Sequence, residues 1–215
     1  FTVLGIETTC DETAASVITL YKDGKTKLHS NIIHSQYKEH SKYGGIVPEI
    51  AARSHLNNIS FIVSKAIEAS DNDVNSIDAV AVSCGPGLIG GLLVGSLFGK
   101  AYALSKKIPF IPINHLEAHI LSPRLFEKID FPYLALLVSG GHTQLLYLED
   151  FDKIRRIGTT LDDSVGEAFD KASIILGLGW PGGKNIEIAA NKNQIDKNQV
   201  FKIYRQIPFD LNALI

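Results

Sequence analysis

The 215-residue chain has no methionine, a single tryptophan and only two cysteines. Two cysteines, Cys10 and Cys84, do not make a disulfide scaffold at this length; both fall in predicted turns, and a reducing compartment suits them. The lack of an initiating methionine and the apolar end, Ile207-Pro208-Phe209-Asp210-Leu211-Asn212-Ala213-Leu214-Ile215, suggest part of a longer protein. Charge of one sign is also missing: 21 Lys and Arg against 23 Asp and Glu leave a formal charge of -2. That balance excludes a broad basic field, so a nucleic-acid partner would need local patches or helper subunits. Lys22, Lys25 and Lys27, Lys106-Lys107 and Arg155-Arg156 offer such patches, though each reads equally as a solvated edge. No signal-peptide pattern opens the chain. The most apolar stretch, Leu88 to Leu104, carries Lys100 and several glycines and falls short of the roughly 20 residues that a span requires, so it reads as a buried helix.

What is present is the composition of a soluble globular protein, 45% hydrophobic and 20% charged, long enough for one large domain or two lobes. Thr2 to Ile6 and Ala14 to Leu20 read as strands, and the turn Lys22-Asp23-Gly24-Lys25 leads into a third, Lys27 to Ile33. Pro48 suits the first turn of a helix in which Ile59, Ile62, Val63, Ala66 and Ile67 share a face. A buried strand, Asp78 to Ser83, a long helix ending near Lys107 and a strand from Phe110 to Ile113 follow. A similar start recurs: Tyr133 to Val138, a turn, Gln144 to Leu148, a strand near Ile154 to Gly158, then a helix from Ser164 to Leu176. The order resembles the ribonuclease H-like lobes of the actin, hexokinase and sugar-kinase superfamily. It implies an α/β, actin-like, two-lobed fold, with a first lobe over 1–110 and a second over 111–215 that is incomplete at its C-terminus. Such lobes hold nucleotide phosphates between Gly/Thr/Ser-rich hairpins.

Several motifs carry chemistry. His115 and His119 lie four apart, which on a helix stacks two imidazoles on one face, as a divalent metal requires. The bland alternative is a pair of half-buried histidines at a helix start. Glu117 is not placed as the base of an H-E-x-x-H protease, and no third ligand is evident. Glu7, Asp11 and Glu12 set three acids around one turn, to orient a metal or accept a proton, or simply to be solvated. Gly85-Pro86-Gly87-Leu88-Ile89-Gly90 matches G-x-G-x-x-G weakly, lacking the acid about 20 residues on. Gly87, Gly91, Gly95 and Gly99 read better as a smooth helix face against a neighbour, and Gly95 to Lys100 fails as a phosphate loop. His34, His40 and His55 read as surface or loop residues, although His34 and His40 lie close to the Gly44-Gly45 turn and could line a cleft. Asp170 is aimed at a ribose or paired with Lys171 or Lys153, and Pro181-Gly182-Gly183 admits a ligand's approach or ends a helix.

Taken in order, Gly5-Ile6-Glu7-Thr8-Thr9-Cys10-Asp11-Glu12-Thr13, Gly44-Gly45-Ile46-Val47-Pro48-Glu49, Asn114 to His119, Val138-Ser139-Gly140-Gly141-His142-Thr143, and Gly166 to Lys171 with Pro181-Gly182-Gly183 resemble the tRNA N6-adenosine threonylcarbamoyltransferase family. The likeness covers Thr2 to about Ala190 and fades from Asn191. It looks bacterial-type, hence cytoplasmic, with a mitochondrial or plastid copy as the alternative. The resemblance implies transfer of threonylcarbamoyl from threonylcarbamoyl-adenylate to N6 of adenosine 37 in tRNAs reading ANN codons. It implies one iron or zinc ion per subunit on His115 and His119, and threonylcarbamoyl-adenylate or ATP held by Leu137, Val138, Ser139, Gly140, Gly141, Asp170 and Gly183. Asp11 or Glu12 is the candidate for taking the N6 proton or for orienting the tRNA base. The family's final metal-ligand aspartate and a nucleotide-binding asparagine would lie beyond this chain. Implied partners are tRNA, an adenylate-synthesising enzyme, and a paralogous actin-like subunit with a small ATPase, or a second copy in a mitochondrial homodimer. No membrane is implied. A metal-dependent glycoprotein endopeptidase and a non-catalytic nucleotide-binding scaffold are the rival readings.

Overall fold

A computed structural model describes residues 1–70 and 77–192. The apolar run 207–215 lies outside the described residues. The chain divides into two compact units, Phe1–Lys128 and Ile129–Ile215.

The first unit is built on a five-stranded sheet, ordered β3-β2-β1-β4-β5. β1 (Thr2–Glu7), β2 (Glu12–Leu20) and β3 (Thr26–Ser35) form an antiparallel meander, and β4 (Ala79–Gly85) and β5 (Phe110–Asn114) continue parallel to β1. Alternation decides the faces: Leu4, Ile6, Ala15, Val17, Val80 and Val82 point to one side and are buried there with Ile59, Ile62, Val63 and Ala66 of α2 (Pro48–Glu68). After α1, a single turn over Tyr37–His40, Pro48 begins α2 at a position where its missing N–H costs nothing. α3 (Ile89–Lys106) turns Gly91, Gly95 and Gly99 inward, and Lys107 ends it in a left-handed conformation. A side chain at Gly91 would strike the Thr8 carbonyl, and one at Gly99 would strike Val82. The four-residue glycine spacing is thus a close-approach face, as expected. α4 (His115–Leu121) follows β5 directly, with Asn114 accepting from the N–H groups of Leu116 and Glu117 as its cap. Because β5 is hydrogen-bonded to β4, it and α4 belong to the first unit, so the expected boundary at 110/111 falls inside this unit.

The second unit opens with an antiparallel meander of β6 (Tyr133–Val138), β7 (Thr143–Asp150) and β8 (Lys153–Thr159). α5 (Val165–Ile175) and α6 (Gly182–Lys192) follow, packed on each other. This repeats the opening of the first unit. Cys84 lies at the end of β4 rather than in a turn. Among the described residues, no helix is long and apolar enough to cross a membrane.

Candidate functional site

The three parallel strands of the first unit end side by side, and each delivers a polar group there. β1 ends in Glu7, β4 carries Ser83, and β5 runs into α4 at His115. The open face of the sheet beneath them is floored by small side chains, Gly5, Ser16, Ala81 and Ser83, around a cavity of about 300 Å³ that Glu7 lines. Ligands settle at the carboxyl ends of parallel strands because loops there can vary while the strands hold their positions.

Glu7 and His115 meet across 108 residues, the His115 Nδ1 lying 3.0 Å from Glu7 Oε2. Glu7 Oε1 accepts the Thr9 N–H at 2.5 Å. Burial pushes the Glu7 carboxyl up, but hydrogen bonds from His115, Ser83 and Thr9 outweigh it and bring it down to about 2. The His115 and His119 rings meet edge to face, centroids 4.6 Å apart at 85°. Burial, followed by the neighbouring His115, lowers His119 and favours its neutral form, the form that ligates metal. The histidine pair is therefore brought together on one helix face, as its spacing predicts. Among the described residues, no group of three or more His, Cys, Asp or Glu side chains is arranged to hold a metal ion. The donor chemistry of two imidazole nitrogens nonetheless fits iron or zinc, given further ligands.

The acid turn Thr8–Asp11 is fixed by three successive carbonyls. Thr9 accepts from Leu88 N at 2.7 Å, Cys10 from His55 Nε2 at 3.0 Å and Asp11 from Gln36 N at 3.0 Å. His40 and His55 are fully buried, correcting their reading as surface or loop residues. They form a polar relay whose directions are forced. The Val47 N–H donates to His40 Nδ1, so His40 Nε2–H donates to Gln36 Oε1, and Gln36 Nε2 and the Thr13 hydroxyl donate to His55 Nδ1. The relay ties the Gly44–Glu49 segment to the acid turn. No periodicity marks it, because its members come from β2, α1, α2 and the connections between elements.

Asp11 is half-buried and Glu12 exposed at the start of β2. Partial burial and the carboxylates of Asp11 and Glu7 raise Glu12 above its ordinary value, which makes it a better proton acceptor. Burial, then Asp11, pushes the Cys10 thiol up to about 12, which favours its protonated form at neutral pH.

In the second unit, the turn after β6 is locked onto the start of α5. Ser164 Oγ donates to the Gly140 carbonyl at 2.6 Å, the Thr143 hydroxyl accepts the Val165 N–H at 2.8 Å, and Gly166 packs against Ser139 and Gly140 so closely that no side chain fits. One turn along α5, Asp170 Oδ1 accepts the Gly182 N–H at 2.6 Å and Oδ2 accepts Trp180 Nε1–H at 3.2 Å. Asp170 thus secures the 180–182 loop at the start of α6. Lys171 pairs with Asp163 and Glu167 instead of with Asp170. Leu137 is buried in β6, while Val138, Gly140, Gly141 and Gly183 are exposed, and a side chain at Gly140, Gly141 or Gly183 would meet nothing.

The meander, crossover and parallel strands of the first unit define an α/β protein of the ribonuclease H-like class, with the beginning of the same plan repeated in the second unit, as in actin-like folds. The sequence matches the tRNA N6-adenosine threonylcarbamoyltransferase (TsaD) family over residues 27–211, past the point at Asn191 where the motif likeness fades. The chain belongs to that family. A protein of that name from Methylorubrum extorquens is 48% identical over 215 residues, covering 99% of this chain and 62% of the relative. Its namesake from Agrobacterium fabrum is 50% identical over 195 residues, 91% of this chain and 53% of the relative. This chain therefore spans only about half to three fifths of the length of these curated relatives. YeaZ from Pseudomonas aeruginosa aligns at a TM-score of 0.43 and 16% identity over 74% of this chain and 66% of its own.

Proposed function

We propose that the complete protein transfers the threonylcarbamoyl group from threonylcarbamoyl-adenylate to N6 of adenosine 37 in tRNAs reading ANN codons. The observation that carries this reading is the meeting of Glu7, His115 and His119 beside the acid turn, in a chain of this family.

The adenine N6 attacks the carbamoyl carbon, the bond from that carbon to the phosphate oxygen breaks, and AMP leaves with the electron pair. The N6 proton passes to a carboxylate, Glu12 or Asp11; partial burial and the neighbouring acids raise Glu12, which suits it to accept a proton. His115 and His119, with a further carboxylate ligand, would hold an iron or zinc ion, which would supply Lewis acidity when bound. Leu137 to Gly141, with Gly183, offer backbone groups to the adenylate, and the lone pairs that Asp170 has left accept ribose hydroxyls.

The near-zero charge supports a tRNA grip shared with other subunits. A paralogous actin-like subunit, a small ATPase and an adenylate-synthesising enzyme fit a bacterial-type cytoplasmic setting, and a homodimer fits an organelle. The test is single-turnover transfer from preformed adenylate to unmodified tRNA by the complete protein with these partners. Formation of threonylcarbamoyladenosine in the tRNA is expected; its absence overturns the reading.

A further inference from the structure

We propose that Glu7 is a positioning residue for the metal: it holds the Nδ1–H of His115 and so presents the Nε2 lone pair as the ligating atom. This rests on the metal assignment just made.

A carboxylate accepts hydrogen bonds and cannot donate them, so the 3.0 Å contact from Glu7 Oε2 requires the proton to sit on His115 Nδ1. A neutral imidazole carries one N–H, so the lone pair is left on Nε2. The alternative tautomer would set a lone pair against a carboxylate and leave no lone pair on Nε2 to ligate a metal. The Thr9 hydroxyl, 3.3 Å from Nδ1, leaves this direction unchanged, because it too can accept.

Glu7 is itself held. Its Oε1 takes the Thr9 backbone N–H, and the Ser83 hydroxyl reaches the same carboxylate from the neighbouring strand. β1 pairs with β4 from Val3 to Ile6, and β4 pairs with β5 up to Gly85 and Asn114, so the sheet register fixes where the carboxylate stands relative to His115. The Asn114 cap holds the other side by setting the first turn of α4. His119 meets the His115 ring edge-on, one turn further along the helix. Carboxylates that orient a ligating imidazole in this way typically change metal affinity 10–100-fold, roughly, by fixing ring and tautomer and raising the basicity of the ligating nitrogen. A pair that served only to tie β1 to α4 would not move metal affinity.

The probe is zinc, with affinity measured by competition against a chromophoric chelator on the complete protein. Glu7→Ala should weaken zinc by about 10–100-fold. Glu7→Gln should recover part of the loss, since its amide oxygen still accepts from Nδ1. The ring ¹⁵N shifts of His115 in the metal-free wild type should report the proton on Nδ1. A neutral ring whose one proton sits on Nε2 overturns the proposal without recourse to any variant. Wild-type zinc affinity in Glu7→Ala, with loss in His115→Ala, overturns the positioning role alone. Unchanged affinity in both variants overturns the metal assignment and this proposal with it.

Discussion

His55 Nε2 donates to the Cys10 carbonyl at 3.0 Å, joining the middle of α2 to the acid turn. Because Nδ1 receives the Thr13 hydroxyl, the ring has no room for a second proton without breaking the relay. Burial lowers His55 below its ordinary 6.5, against the smaller opposing pull of the Cys10 carbonyl and the Glu7 and Asp11 carboxylates. As pH falls, the unfolded chain therefore takes this proton before the folded one does. His55 should leave stability undiminished above about 6.5 and cost stability as pH drops through that value, until the folded-state pKa is passed. Urea midpoints between about pH 5 and 8 should show this slope in the wild type and a flatter one in His55→Gln. Equal slopes would remove His55 from the account.

Gly91→Ala should destabilise the protein by about 1–3 kcal/mol, because the new methyl group meets the Thr8 carbonyl and backbone there cannot yield cheaply. The gain in helix propensity, about 1 kcal/mol, offsets only part of this. Gly183→Ala has open space around its Cβ and should stay within about 0.5 kcal/mol of wild type. Chemical denaturation of both variants is the check, and a neutral Gly91→Ala would mean that α3 can slide.

Glu12→Gln should slow single-turnover transfer by about 10²–10⁴-fold while adenylate affinity holds within about twofold. The acid limb of the wild-type rate profile should lie above the ordinary carboxylate value of 4.5, since burial and the neighbouring acids raise Glu12. A wild-type rate in Glu12→Gln, with loss in Asp11→Asn, would transfer the proton role to Asp11.

Asp170→Asn places an amide where both oxygens now accept, so one of the donors from Gly182 and Trp180 faces an NH₂ group. The 180–182 loop should loosen, and adenylate binding should weaken by about tenfold, or roughly 1.4 kcal/mol. Equilibrium titration with a non-hydrolysable adenylate analogue measures this; unchanged affinity would confine Asp170 to a structural role.

The expected strands and helices were legible because each is a local pattern. Alternation placed Leu4 and Ile6 inward, the 3.6-residue period placed Ile59, Ile62 and Val63 together, and the four-residue spacing marked the glycine face of α3. The histidine pair was legible for the same reason, its two rings being one helical turn apart. The unit boundary was not, because β5 is assigned by its hydrogen bonds to β4 and nothing in Phe110–Asn114 records that partner.

The sequence by itself determined the family, the order of elements and the candidate site residues His115, His119, Asp11 and Glu12. Only the tertiary structure decided that Glu7 faces His115, that His40 and His55 are buried in one relay, and that Asp170 holds the loop before α6 rather than pairing with a lysine. The physical reason is range. Periodicity reports the face a residue shares with neighbours three or four positions away, whereas a hydrogen bond across 108 residues exists only once the sheet register has aligned the strand ends.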